Sequence, residues 1–423
     1  MPRRLVVVGA GWAGLAAAVR AAQAGWLVTL LEMAPAVGGR ARSVQQGSEL
    51  RDNGQHILIG AYARTIDLMR SVGAPIDTLL ARMPLALVDA QGRGLRLPGG
   101  APLLSFARGV WAHPGWSLAE RIALLRAATG WLLSGFRCQP DRPVAELCAR
   151  MPPRVREQLV EPLCVAALNT PSAQASAAVF LRVLRDALFS GPGSADLLLP
   201  RRPLGELLPE PALSWLRAQG AAIRTGHRAH RLERQEAGAG AGWLVDGLPA
   251  DAVILACSAS EAARLSDPWN AAWSGAARAF AYEPIITAWI QAPQVRLPFP
   301  MLALEGGPAQ FAFDLGALGQ QPGAISLVVS GARPWVDAGS PALDAALAQQ
   351  IDSQLGAALP QGWSRGPVIT EKRATFRCTP ALQRPPSQIA AGLLAAGDYI
   401  EGPYPATLEG AVRSGEAAAQ ALA

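Results

Sequence analysis

Leu5-Val6-Val7-Val8-Gly9-Ala10-Gly11-Trp12-Ala13-Gly14 opens the chain, an alanine-rich segment runs on to Gly25, and Trp26-Leu27-Val28-Thr29-Leu30-Leu31 then delivers Glu32. The order is strand, glycine turn, helix, strand, acid. Four apolar residues, three of them β-branched, suit a buried strand, and the alanines suit a helix packed closely on it. Each glycine has its own task in a dinucleotide-binding turn. Gly9 makes the tight turn, Gly11 lets a pyrophosphate approach the backbone, and Gly14 allows close helix–strand packing. The N–H groups of the helix start, around Ala10, Trp12 and Ala13, face the phosphates. Glu32, with Met33 beside it, is placed to accept from a ribose hydroxyl. A glycine triplet alone is weak evidence; between two strands and about 20 residues ahead of an acid it is strong.

The rest of the composition fits a large globular chain. At 423 residues it is long for a single core, so two or more domains are expected. Half the residues are hydrophobic and 17% are charged, which excludes a disordered chain. The net charge of +6 is carried by arginine, Lys372 being the only lysine. The arginines are scattered, which argues against nucleic-acid binding and leaves weak attraction to an anionic membrane surface open. Five separated cysteines, Cys138, Cys148, Cys164, Cys257 and Cys378, form no C-x-x-C pair and imply buried thiols in a reducing compartment, with no metal site. Arg3 and Arg4 before an apolar stretch imitate a signal peptide, but the glycines and Arg20 interrupt it. No run reaches the ~18 apolar residues of a membrane span. A cytoplasmic protein is expected.

After the acid comes Gly38-Gly39-Arg40-Ala41-Arg42. Two glycines bring backbone close to a ligand, and the arginines offer charge-assisted contacts to phosphate. In this position the run resembles the FAD-binding start of the flavin amine oxidase and phytoene desaturase superfamily. Gly220 to Leu232 and Ala250 to Cys257 resemble the same superfamily's internal FAD segment: a helix ending in glycine, a strand with an adenine-facing position at Ala229, then a buried strand. Near the C-terminus, Leu393 to Asp398 is a strand ending in Gly397-Asp398, and Thr407-Leu408-Glu409-Gly410-Ala411 opens the last helix. The resemblance implies that Asp398 meets the phosphate–ribityl region and that the helix start at Thr407 and Leu408 approaches the pyrimidine end of the flavin. Physics supports the last point, since a helix N-terminus carries roughly half a positive charge and reduced flavin is negative there. Thr407 is the expected N-cap.

Arg51-Asp52-Asn53-Gly54-Gln55-His56-Ile57-Leu58-Ile59-Gly60-Ala61-Tyr62, taken with Gly397 to Thr407, is similar to the hydroxysqualene dehydroxylases of bacterial squalene and hopanoid synthesis. That resemblance implies FAD as cofactor and reduction of hydroxysqualene, a long isoprenoid alcohol, to squalene with loss of water. It also implies a peripheral contact with the inner face of the membrane and association with upstream enzymes of the pathway. Gly54, Gln55 and His56 would form a loop lining the flavin.

From Leu103 to Leu188 the pattern is mostly helical, with Trp111, Trp116 and Trp131 among leucines and prolines, and suits either a helical cap or an ordinary helical core. Ile285 to Ile290, Gln310 to Asp314 and Ile325 to Val329 suit strands. Ser340 as N-cap, Pro341, and Leu343, Leu347, Ile351, Leu355 and Leu359 at four-residue spacing predict a helix. The expected fold is α/β: a Rossmann-type FAD-binding domain from residues 1–80, 195–265 and 365–423. Residues 81–194 and 266–364 would form an inserted α+β substrate domain of mixed sheet and helical cap.

Loss of a hydroxyl needs a proton donor, and His56, Asp52, Glu401 and Tyr404 are the candidates. Burial in an apolar pocket would raise a carboxyl pKa and suit Asp52 or Glu401. Equally, His56 can simply bond backbone and Asp52 can cap a turn. Three other functions share these features: a carotenoid-type desaturase, an amine-oxidase-like enzyme, and a flavin-binding subunit that delivers isoprenoid. Amine oxidases carry a lysine on a substrate-domain strand, and Tyr282 to Gln291 has none.

Overall fold

The computed structural model of the chain describes residues 2–47, 49–235, 242–360 and 362–422. Strand β1 (Arg4–Val8) leads through the glycine turn into helix α1 (Trp12–Gln23), and Gly25, at φ 82°, reverses the chain into β2 (Leu27–Leu31). A short antiparallel arm follows, β3 (Ser43–Gln46) with β4 (Glu49–Asp52). The expected helical stretch contains α2 (Pro102–Ala112) and α3 (Leu118–Leu133), joined by a tight loop, and further helices up to Ala177–Phe189. Beyond it lie β5 (Ala222–Arg224) and β6 (Ala252–Leu255). Then come β7 (Tyr282–Gln291), β8 (Met301–Ala303), β9 (Phe311–Asp314) and β10 (Ala324–Val329). Helix α4 (Ser340–Leu355), β11 (Ser364–Phe376), β12 (Gln388–Ala390), β13 (Leu393–Ala395) and α5 (Leu408–Gln420) complete the chain.

Two sheets organise these elements. The first has the order β5-β2-β1-β6-β13-β12, parallel except for β12. Leu5, Val7, Leu30, Ile254 and Ala396 are buried together with the apolar residues of α1, and Val6, Val8, Val253 and Leu255 in a second core, so β1 is covered on both faces, as its unbroken hydrophobic run requires. Helix α5 lies on α1: a side chain at Gly415 would put its Cβ 2.1 Å from the carbonyl oxygen of Ala13. The second sheet, β8-β9-β10-β7-β11, is antiparallel, and α4 covers one face through Leu343, Leu347, Ile351 and Leu355. The fold is therefore α/β, as the sequence led us to expect, but the second sheet is antiparallel throughout where a mixed sheet was expected.

Several local expectations are corrected. Ser340 is the first helical residue and makes no cap; Gly339, at φ 87°, precedes it in a conformation that suits glycine, and Leu359 falls beyond the helix end. Ala229 lies in the loop after β5 and not on a strand. The boundary expected between 364 and 365 cuts β11, which pairs with β7 as far as Phe376. Likewise, the segment after 265 stays with the first sheet: Trp273 donates its indole N–H to the Pro386 carbonyl, and Asn270 donates to that of Ile389.

Candidate active site

The glycine turn is built as its sequence requires. Gly9 has φ 106°, and a Cβ there would lie 2.7 Å from the Ala256 carbonyl oxygen. A side chain at Gly14 would place its Cβ 1.8 Å from the Gly9 carbonyl oxygen, so only glycine lets α1 leave β1 at this angle. No side chain caps the N-terminus of α1. Its leading N–H groups are thus left for a ligand. Gly38 donates its N–H to the Ala10 carbonyl at 2.8 Å and bridges Gly11, which docks Gly38-Gly39 against the turn. Glu32 is 7% exposed; one carboxylate oxygen accepts the Ala10 N–H at 2.7 Å and the other the Ala34 N–H at 2.8 Å. The acid therefore holds the turn in place, and its remaining lone pairs stay open to a hydroxyl donor.

These groups line one wall of a cavity of about 570 Å³ that runs from the turn to the second sheet. Of the residues picked out from the sequence, Gly9, Gly11, Trp12, Ala13, Glu32, Met33, Gly38, Gly39, Arg40, Ala41, Arg42, Gly54, Gln55, His56, Ala229, Gly397, Asp398, Thr407 and Leu408 all border it. Ala10 and Gly14 stand behind that wall and shape it. Arg40 donates to Asp398 at 2.6 Å and to the Ala374 carbonyl at 2.8 Å, tying the Gly-Gly-Arg loop to the C-terminal segment. The guanidinium of Arg42 has no hydrogen-bond or ion-pair partner among the described residues. Thr407 caps α5 by accepting the Gly410 N–H at 2.9 Å, and the helix start borders the cavity. An uncapped helix start, a close-approach glycine pair, a partnerless arginine and a second helix N-terminus form a cradle suited to an anionic dinucleotide. Cys257 also borders it, with burial pushing its thiol up to about 12, so it stays protonated.

The far end of the cavity is apolar. Ile57, Leu168, Ile285, Phe311, Phe313, Val328 and Ile369 line it, and a few polar groups, His56, Asn169, Thr287, Ser330 and Glu371, stand among them. Nδ1 of His56 lies 3.1 Å from the Gly54 carbonyl, which can only accept, so Nδ1 carries the proton and Nε2 is an acceptor. Burial pushes the pKa of His56 below its ordinary value, and the charge of Arg40 adds to this against the Gly54 hydrogen bond. His56 is therefore a neutral imidazole.

The other three proton-donor candidates do not border this cavity. Asp52 turns to the opposite side of the β3–β4 arm, where it accepts from Ser43 Oγ at 2.7 Å and from the Leu204 N–H at 2.9 Å, capping a helical turn. Glu401 is exposed on the surface. Tyr404 donates its hydroxyl to Asp186 at 2.6 Å, and that carboxylate also binds Arg182 and Arg185. Sequence reasoning missed Glu371 and Asn169. Glu371 accepts from Asn53 at 3.0 Å, and Asn169 donates to the Glu283 carbonyl at 3.1 Å from a left-handed conformation, φ 46°. An asparagine ending an apolar helix was the one available signal for the second. Strand alternation around Glu371 offered none.

Among the described residues no cluster of histidine, cysteine, aspartate or glutamate is arranged to hold a metal ion, and no helix is long and apolar enough to cross a membrane. In structure, the chain is similar to an oxidoreductase from Methanosarcina mazei, with a TM-score of 0.72 at 16% identity over 99% of this chain and 100% of that one. It is similarly close to putrescine oxidase, at 0.70 and 17% over 100% and 99%. At such identities these likenesses speak to the fold alone. In sequence, it is 31% identical to the hydroxysqualene dehydroxylase of Rhodopseudomonas palustris, over 99% of this chain and 98% of that protein. The hydroxysqualene dehydroxylase of Sinorhizobium fredii is 27% identical over 99% and 98%. The model of the flavin containing amine oxidoreductases matches residues 12–423. The chain belongs to the flavin containing amine oxidoreductases and, within them, to the hydroxysqualene dehydroxylase family, and it is a flavin-dependent oxidoreductase.

Proposed function

We propose that the chain binds FAD along the wall from Gly9 to Arg42 and reduces hydroxysqualene to squalene in the apolar end of the same cavity. The observation that carries this is the junction itself: a dinucleotide cradle opens directly into a chamber of isoleucine, leucine and phenylalanine side chains with few polar groups. Such a chamber, apolar apart from these few groups, suits a hydrocarbon. Strand β7, which contributes Ile285 and Thr287 to the chamber, carries no lysine, and that separates the site from the amine oxidases as read from the sequence. The family relatives favour the dehydroxylase reading over a carotenoid desaturase that shares the fold.

The reaction breaks a C–O bond, forms a C–H bond and releases water, consuming two electrons and two protons. Reduced FAD would supply both electrons and, as a hydride and a proton, both hydrogens, so that alcohol and reduced FAD give hydrocarbon, oxidised FAD and water. The protein's task is to seat the alcohol and to keep bulk water from the reacting carbon. Phe311, Phe313, Val328 and Ile369 exclude water, while Nε2 of neutral His56 accepts the hydroxyl hydrogen and orients the C–O bond. His56 is thus proposed as a hydrogen-bond acceptor, since a depressed pKa leaves it no acidic proton at neutral pH. Gly54 and Gln55 border the same cavity and would line the flavin. Association with upstream enzymes of squalene synthesis and seating at the inner face of the membrane belong to the same proposal.

The test is turnover of hydroxysqualene by purified, chemically reduced protein under anaerobic conditions, with products identified by mass. Squalene is expected; double bonds added to an isoprenoid by the oxidised protein would assign the desaturase reaction instead, and no turnover without a partner would assign a delivery subunit. His56→Ala is expected to keep its flavin absorbance and lose roughly a hundredfold in turnover, the cost of a misplaced C–O bond. Unchanged turnover removes His56 from the mechanism.

A further inference from the structure

Helices α2 and α3 form a hairpin whose outer face is apolar. Leu103, Leu104, Trp111, Leu118, Leu132 and Leu133 are all exposed, Trp111 by 55% and Leu133 by 83%. Six of the ten exposed large hydrophobic side chains among the described residues thus sit on two of its helices. The inner face is a packed one: Phe106, Gly109 and Val110 of α2 and Leu124 of α3 are buried. Leu104 and Trp111 are seven residues apart and share one side of α2, as Leu118 and Leu132 nearly do on α3. The hairpin is also well fastened. Ser117 and Glu120 cap α3 reciprocally, the ring of His113 stacks on Trp116 at 3.8 Å, and Arg121 donates to the His113 carbonyl at 2.8 Å. An apolar face held rigid and open to solvent marks a binding surface.

Charge selects the occupant. Between Pro102 and Arg137 there are four arginines and one acid, Glu120, which is engaged by Ser117 and lies 4.0 Å from Arg154. Arg108, Arg126 and Arg137 are exposed and have no acidic partner among the described residues. A second copy of the chain seated on this face about a two-fold axis would bring these arginines towards each other. Anionic lipid headgroups would pair with them, while leucines enter the acyl boundary and Trp111 takes the interfacial level.

We propose that the α2–α3 hairpin is the surface by which the protein docks on an anionic lipid bilayer, lying on it without crossing it. This deepens the function proposed above, on which it rests only for the reason a bilayer is useful: it stores the isoprenoid alcohol.

The experiment is co-sedimentation of the flavin-loaded protein with vesicles of phosphatidylcholine alone or mixed with phosphatidylglycerol. Wild-type protein is expected to sediment with the mixed vesicles, less so with the neutral ones or in high salt. Leu133→Glu and Trp111→Glu should each weaken binding roughly tenfold while keeping flavin absorbance and turnover of detergent-dispersed hydroxysqualene. Arg126→Glu, which leaves every apolar contact in place, should weaken binding to the mixed vesicles only. Wild-type protein remaining in the supernatant, or variants binding as wild type does, overturns the proposal. So does a dimer in sedimentation velocity that Leu133→Glu dissociates while vesicles are ignored. Absence of squalene in detergent would count against the dehydroxylase reading and leave vesicle binding to be judged separately.

Discussion

Asp52 is a residue whose chemistry was legible in the sequence and whose place was not. Burial pushes its carboxyl up to about 6, against the hydrogen bonds from Ser43 and Leu204, and Glu206 adds to the rise. The raised pKa that suited a proton donor is present, but the β3–β4 arm turns the group away from the cavity, because strand alternation alone cannot say which face of a two-stranded arm meets a ligand. A consequence for stability follows. The folded state holds the proton more tightly than the unfolded chain between about pH 4 and 6, so ionisation costs stability as pH rises through that window and nothing below it. Asp52→Asn, which keeps an acceptor for Ser43 and Leu204, removes the cost. Its advantage over wild type is expected to grow by on the order of 2 kcal/mol from pH 4 to pH 7, measured by urea unfolding at both values. A pH-independent difference would show that the carboxyl ionises freely. His56 has the opposite sign: its pKa is depressed, so the unfolded chain takes up the proton first, and stability from this group falls as pH drops below the ordinary histidine value.

Helix α5 was the element read most completely from the sequence, down to its cap. Thr407 is extended, at φ −125° and ψ 159°, and accepts the Gly410 N–H, while Gly410 itself packs so tightly that a Cβ would meet the Tyr404 carbonyl oxygen at 1.9 Å. A threonine followed by a short acid-containing first turn and an alanine-rich run specifies that arrangement locally. At α4 the same reasoning failed. Ser340 and Pro341 looked like a cap and first turn, yet Gly339 makes the turn, since its positive φ sets the direction from which the chain joins the helix. Caps are legible where the side chain makes the hydrogen bond, and illegible where backbone geometry does. Thr407→Ala is therefore expected to cost about 1 kcal/mol in unfolding free energy. Ser340→Ala should be close to neutral. Equal losses in both variants would mean that the cap at Thr407 contributes nothing beyond its backbone.

At the scale of the molecule, the dinucleotide turn was legible because the glycines at 9, 11 and 14 fall at a fixed spacing in one short run between two strands, although Gly9 is pressed by Ala256 at the end of a distant strand. The apolar chamber was not, because its wall combines Leu168, Ile285, Phe311, Val328 and Ile369 from distant parts of the chain, each unremarkable among its neighbours. The same scattering has an energetic consequence. The wall of the cradle is assembled from residues 9–42, 229, 256–261 and 397–408, which meet around one cavity and are bridged directly by the Arg40–Asp398 pair. That pair is partly exposed on its arginine side, so it contributes little alone. A bound dinucleotide touching all these segments would stabilise the folded state by mass action, by about 2.7 kcal/mol at a free concentration of a hundred times Kd. The proposed FAD would be held along the whole cradle, by the segment around Glu32 and Ala229 at its adenine half and by the start of α5 at Thr407 at its flavin half. FMN lacks the adenine half and reaches only one end. Stripping the flavin is therefore expected to lower the melting temperature, FAD to restore it and FMN to restore it only in part, as followed by thermal unfolding. Equal rescue by the two would place the binding energy at the flavin end and remove the segment around Glu32 and Ala229 from the cofactor site.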